Sequence, residues 1–416
     1  MNIKAVIGAG YGDEGKGLMT DYFCRNAHDN KVLNIKVNGG AQAGHTVCAL
    51  DNGEYKHWVF RQYGSGTFAG ADTYLLNTFM VNINELLKER KALREIYNIQ
   101  TKLYIDRRCR VTLPIDILLN RFIEDSRTHK HGSCGLGIYE TFHRNNDFRT
   151  ITLNDIISTF CNKSIREFES MLNEISYNYL QLRVNEFGNN EVTFTDDNIN
   201  TLLKQAYQLN REFIENLADI AKIDDIIFIN SLSNLVEHNK YNTVVFECSQ
   251  GLELDQHEER NWPHLTPSNT GLDNIINEIN NNEHLWECEL ETCFVTRSYK
   301  TKHGAGTFVE ADDTIQNMYG LYDRTNQPNQ YQGTLRYGVI NIGRLKRVIM
   351  RQLAKVSDNT KCNIKSSISI THLDQTNAAI ITNLGRLDIE DVDSNTFGVN
   401  YKIYKSFGEK ASDIII

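Results

Sequence analysis

Short apolar runs and longer stretches of helical spacing alternate along the 416 residues. Lys4 to Gly8 is an apolar run of strand length that opens into a glycine loop. Leu18 to His28 has helical character, and Lys31 to Val37 is a second strand. Strand, helix and strand in that order predict a βαβ unit and a parallel sheet. Further strands are expected at Lys102–Asp106, Asp225–Asn230, Thr243–Glu247, Glu289–Thr296, Lys365–Ile370 and Ala378–Thr382. Residues 150–222 read as a helical insertion, with Ile199, Leu202, Leu203, Ala206, Leu209, Phe213 and Leu217 at helical spacing behind Thr195, a suitable N-cap. The expected fold is α/β, a large and mostly parallel central sheet with a P-loop-like nucleotide site and helical insertions. With no break in composition to cut at, one domain spanning 1–416 is expected.

Composition narrows the partners. Lys and Arg number 44 against 53 Asp and Glu, a net charge of −9 that argues against a nucleic-acid partner but not against a nucleotide held in a local cationic cradle. The nine cysteines are odd in number and form no C-x-x-C, so neither a disulfide framework nor a zinc ribbon is indicated. No run of 18 apolar residues occurs and the first strand leaves no room for a signal peptide, so a cytoplasmic protein without a membrane partner is expected.

The candidate chemistry sits in two glycine loops. Gly8 to Gly17 holds five glycines, and Gly10-x-Gly12-x-x-Gly15 and Gly10-x-x-x-x-Gly15-Lys16 satisfy the dinucleotide and phosphate-loop patterns together. Both patterns bring backbone N–H groups at a helix N-terminus to an anion. The phosphate loop ends in a Ser or Thr that binds Mg²⁺, whereas position 17 is Gly17, so a metal ligand has to come from elsewhere, and Asp13 is a hard oxygen donor. A dinucleotide site uses an acid at the end of the second strand, and Val37-Asn38-Gly39 offers none, which disfavours an NAD-dependent dehydrogenase. The second loop, Gly39-Gly40-Ala41-Gln42-Ala43-Gly44-His45-Thr46, follows the second strand and carries His45, a natural acid/base group.

Gly12-Asp13-Glu14-Gly15-Lys16-Gly17 followed by Gly39-Gly40-x-x-Ala43-Gly44-His45-Thr46 closely resembles the adenylosuccinate synthetase family. Gly132-Ser133-Cys134-Gly135-Leu136-Gly137-Ile138, Phe246-Glu247-Cys248-Ser249-Gln250-Gly251, Trp262 to Thr270 and His303-Gly304-Ala305-Gly306-Thr307-Phe308 resemble further family segments in the same order. The resemblance implies a ligase that joins L-aspartate to C6 of IMP while cleaving GTP, through a 6-phosphoryl intermediate. It implies Asp13 as base and Mg²⁺ ligand, with the Gly44 carbonyl as a second ligand, His45 as the acid at the 6-oxygen, and Lys16 on the transferring phosphoryl group. Gly12, Gly15, Lys16, Gly17, Thr46, Asp374, Ser406 and Gly408 would hold the triphosphate. Asp13, Gln42, Ser133, Cys134, Arg144, Gln250, Thr266 and His303 would hold the purine monophosphate, and Thr334 and Arg336 the aspartate. A homodimer is implied, in which Arg144 or Arg149 would reach the partner subunit's nucleotide.

The chain also departs from the family. Its aspartate segment, Gln332-Gly333-Thr334-Leu335-Arg336-Tyr337-Gly338, holds one arginine where the family has several, and this shortened loop resembles the divergent archaeal and phage branch, including the phage 2-aminoadenylosuccinate synthetases that act on dGMP. The guanine-recognition segment reads Thr371-His372-Leu373-Asp374 without the family's lysine, and His303 replaces a small apolar residue near the ribose. GTP is the expected donor, with ATP or dATP as the alternative, and dGMP is the alternative acceptor. A catalytically silent nucleotide-binding protein is the other class of reading, opposed by the retained Asp13, Lys16, His45 and Gln250.

Overall fold

The computed structural model describes residues 1–27, 31–188, 191–239, 241–326 and 333–416. His28, the expected end of the first helix, and Gln332 lie outside the described residues. Ten strands form the central sheet: β1 (Asn2–Gly8), β2 (Val32–Lys36), β3 (Asp72–Leu75), β4 (Leu103–Asp106), β5 (Ile226–Ile229), β6 (Thr243–Glu247), β7 (Glu289–Arg297), β8 (Asn363–Thr371), β9 (Ile403–Ser406) and β10 (Ile414–Ile415). Their order across the sheet is β10-β9-β8-β7-β1-β6-β2-β3-β4-β5. Every neighbouring pair is parallel except β9 and β10.

The central strands are apolar throughout because both faces are covered. Along β1, Ile3, Ala5 and Ile7 join the large core that includes Val244, Phe246, Leu290 and Ile349. Val6 points the other way, toward Met19 and Phe23 of helix α1 (Lys16–Arg25). β1 lies between β6 and β7, and the register sets Val6 opposite Glu247 and Gly8 opposite Val295. On the far side of β6, Glu247 faces Lys36 of β2. Two fully buried charges therefore meet at the carboxyl ends of adjacent strands, where open α/β sheets bind ligands.

The expected helical stretch forms Leu153–Asn162, Ile165–Phe187 and Asp196–Ile220, each capped by the side chain before it: Thr152, Ser164 and Thr195. Their apolar faces share a core with Leu75 and Leu103 of the sheet and with Leu119 and Ile123 of helix α2 (Pro114–Ser126). Two expectations change. Ala379–Thr382 is not in the central sheet: it turns through Asn383 and Leu384 and pairs antiparallel with Gly385–Asp388. β3, β9 and β10 were not anticipated.

Arg144 also changes role. It is fully buried, and its guanidinium donates to both Asp116 oxygens at 2.8 and 2.9 Å and to the Val111 carbonyl at 2.8 Å. Asp116 in turn accepts from the Leu113 N–H at the start of α2. Arg144 thus fastens α2 to the segment behind it and does not reach out to a nucleotide of another subunit. Removing one partner of a buried ion pair strands the other, at a cost of about 3–5 kcal/mol. Arg144→Met is expected to lower the urea midpoint accordingly, whereas an unchanged midpoint would show the pair to be dispensable.

Candidate active site

A cleft of about 1490 Å³ runs along the carboxyl ends of the strands, and both glycine loops open into it. The first leaves β1 and enters α1 through Gly15, whose φ of 98° is left-handed and whose Cα face lies against Thr371. Inside the loop the Glu14 carboxylate turns inward. It accepts from the Gly10 N–H at 3.0 Å and the Gly12 N–H at 2.8 Å and pairs with Lys16 Nζ at 2.6 Å. In a phosphate loop such N–H groups cradle the anion; here a protein carboxylate takes them. Gly12 therefore lines the cleft without a free N–H, and the donors left for a phosphate are those at the start of α1. Gly17 is the point of closest approach between the two loops. A Cβ there would lie 2.7 Å from the Thr46 carbonyl oxygen and 3.1 Å from the His45 Cβ.

Asp13 is held in a left-handed conformation, φ 63°. Arg297 Nε donates to its carbonyl at 2.5 Å, and Arg297 is itself anchored to Asp323. The Asp13 carboxylate meets His303, with Oδ2 and Nδ1 3.1 Å apart. Burial pushes the Asp13 carboxyl up, but the His303 hydrogen bond and charge, with Arg297 and Lys16, win and hold it below the usual carboxylate range. It is thus an ionised carboxylate at neutral pH, and Oδ1 has no protein partner among the described residues.

His45 opens a hairpin, His45–Asp51 with Glu54–Phe60, and is buried against the sheet. Its Nδ1 bonds Glu247 Oε1. Glu247 also accepts from the Ser65 N–H at 3.0 Å and the Ser65 hydroxyl at 2.6 Å, with Lys36 Nζ at 3.7 Å. Burial raises and these cations and donors lower the Glu247 carboxyl, Lys36 foremost, and the net direction is down. The arrangement fixes the ring, with Nδ1–H on a carboxylate and Nε2 free to act. Burial sets the imidazole below its ordinary range; the Glu247 bond opposes this, and Lys36 and Lys16 add to it.

Most of the other expected residues line the same cleft: Gln42, Ser133, Cys134, Gln250, Thr266, Gly15, Lys16, Gly17, Thr46, Asp374 and Gly408. Both polar atoms of the Gln42 amide are buried without a partner, as is His303 Nε2. A buried polar group left unpaired is costly, and both of these line the cleft. Ser133 is positioned by Asn120, whose amide donates to its hydroxyl at 2.9 Å.

Two sets fall short. Ser406 is fully buried and its hydroxyl donates to the Gly408 carbonyl, so its side chain holds Gly408 rather than a nucleotide. Thr334 is exposed and, among the described residues, neither it nor Arg336 lines the cleft. Arg336 instead donates to the carbonyl of Gly304, which does line it. Lys302, unanticipated, is a buried lysine facing the cleft; burial, with Arg336 and Lys300 nearby, brings its ammonium down to about 8. Glu247 was also missed, although an acid ending the apolar run Thr243–Glu247 was a visible signal. Among the described residues no group of three His, Cys, Asp or Glu side chains is placed to hold a metal alone. A cation here would share Asp13 and the Gly44 carbonyl with ligand oxygens.

Comparison with known proteins agrees with the geometry. The chain is 27% identical over 362 residues to the adenylosuccinate synthetase of Limosilactobacillus reuteri (strain DSM 20016), covering 86% of this chain and 74% of the relative. It is 24% identical over 425 residues to that of Picrophilus torridus, covering 99% and 89%. Among solved structures, the fully ligated adenylosuccinate synthetase from Plasmodium falciparum superposes with a TM-score of 0.67 at 16% identity, covering all of both chains. The cyanophage S-2L succinoaminodeoxyadenylate synthetase (PurZ), bound to dGMP and dATP as an energy donor, gives 0.60 at 14% identity, covering 100% of this chain and 95% of the other. At these identities the structural matches speak for the fold. The sequence model described as adenylosuccinate synthetase matches residues 5–382, most of the length, and the chain belongs to the adenylosuccinate synthetase family.

Proposed function

We propose that the protein joins L-aspartate to C6 of IMP with cleavage of GTP. The observation that carries this reading is the meeting of an ionised Asp13 and a carboxylate-oriented His45 in one cleft, each at the end of its own glycine loop. Asp13 takes the N1 proton of the purine, and the charge moves to the 6-oxygen, where His45 Nε2 donates. That oxygen attacks the γ-phosphorus and GDP leaves. The aspartate amine then bonds C6 and the 6-phosphate departs. An anion beside His45 favours the charged ring and offsets the effect of burial.

Phosphoryl transfer rests on positioning and charge rather than on covalent chemistry. Lys16 supplies a cation at the first loop, partly offset by Glu14. Mg²⁺ suits this site, since it binds through one or two protein oxygens plus substrate phosphates, and Asp13 with the Gly44 carbonyl would hold it and offset phosphate charge. Gln250 offers an amide donor and acceptor to the acceptor base and the Asp374 carboxylate accepts from the donor base, while Arg336, which reaches the cleft only by way of the Gly304 carbonyl it bonds, is with Thr334 the candidate for aspartate. Among the described residues no helix is long and apolar enough to cross a membrane.

With Mg²⁺, aspartate, IMP and GTP, the protein is expected to generate the absorbance of a succinylated purine; turnover with dGMP and dATP but none with IMP and GTP would overturn the acceptor and donor. Asp13→Ala should lower kcat by roughly 10²–10⁴-fold, the usual loss on removing a general base, with the circular dichroism unchanged; a near-normal kcat would remove Asp13 as the base. His45→Asn should depress kcat far more than nucleotide affinity, and equal rates for the two proteins would take His45 out of the chemistry.

A further inference from the structure

Among the described residues five arginines line the cleft, and four of them are already committed to carboxylates. Arg127 pairs with Glu124 and Glu191, Arg183 with Glu140 and Glu186, Arg297 with Asp323, and Arg324 with Glu409. The fifth, Arg61, has no carboxylate partner among the described residues. It follows the hairpin strand Glu54–Phe60 and is placed by its own backbone, whose N–H donates to Glu89 at 2.9 Å. Among the described residues its guanidinium makes one hydrogen bond, from Nη1 to the Ala41 carbonyl at 2.8 Å. A Cβ on Gly44 would sit 3.7 Å from its Cζ, so the guanidinium lies beside the second glycine loop. Its charge also reaches Cys134: burial raises that thiol, and Arg61 is among the groups that oppose the rise.

Arg61 thus stands between the stretch that carries Gln42 and the stretch that carries Ser133 and Cys134. These are neutral side chains. A phosphate dianion held by amides and hydroxyls alone would bring its charge into the cleft without compensation, and an arginine fork is the group that matches it best. Of the two arginines that the sequence offers for this purpose, Arg144 is locked onto Asp116 and Arg149 does not line the cleft of this chain.

We infer that Arg61 binds the 5′-phosphate of the acceptor nucleotide from within the same chain. This rests on the assignment of Gln42, Ser133 and Cys134 to the nucleotide monophosphate. The guanidinium keeps one edge on Ala41 and presents the other to the phosphate oxygens, and the Gln42 amide gains the partner it lacks.

The test compares calorimetric binding of IMP and of inosine to the wild type, R61M and R61K. R61M should weaken IMP binding roughly 10- to 100-fold, the range for losing a charge-assisted contact, and leave inosine within about twofold. R61K should recover part of the loss. Equal IMP affinity in wild type and R61M, or a parallel loss for inosine, overturns the assignment. Because binding is the readout, a wild type without turnover that still shows the selective loss supports Arg61 and overturns only the ligase reading. Mixing R61M with the Asp13→Ala variant separates one chain from two. No recovery of activity is expected, since each chain lacks part of its own site; recovery would mean that Arg61 serves a neighbouring chain and would overturn the inference.

Discussion

The first glycine loop is organised around one carboxylate. Glu14 sits where a phosphate loop would hold its phosphate, satisfies the Gly10 and Gly12 N–H groups and draws Lys16 inward. The turn is held by contacts internal to the loop. With the turn fixed, Asp13 is forced outward in a left-handed conformation that Arg297 secures through the backbone carbonyl. Strain of this kind persists only where the surroundings over-determine it. The outcome is a carboxylate presented to the cleft beside His303.

His45 is supported from a different direction. Its partner Glu247 is held by the sheet itself, through the parallel register that sets it against Lys36 and through Ser65. The two groups proposed to move protons are thus fixed by separate frameworks, one a loop and one a sheet. Their tuning differs in the same way. Asp13 is kept ionised by cations around it, and His45 is kept from charging too readily by its burial.

The parts of the site that were legible in the sequence are those whose backbone needs glycine. Gly15 and Gly17 flag a tight turn and a close approach, and they carry Asp13, Lys16 and, by proximity, His45 with them. Most strands were legible as well, because a buried parallel strand is an unbroken apolar run. The partners Lys36, Arg297 and Arg61 were not, since each meets its contact through a register or a hairpin that local spacing does not encode. Arg144 and Ser406 failed for the opposite reason. Their positions along the chain fit a ligand role, but each is enclosed by neighbours that use its donors, and enclosure is a property of the packed molecule alone.

The contact at Gly17 limits how this site can change over time. A serine or threonine at that position is what phosphate loops use to bind a metal, but here its Cβ would press on the Thr46 carbonyl and on His45. The start of the first helix cannot acquire that hydroxyl while the histidine stays where it is. In this packing the hydroxyl of a phosphate loop and the imidazole of His45 compete for the same space, so the site holds one or the other and a single substitution at position 17 cannot add the first without moving the second.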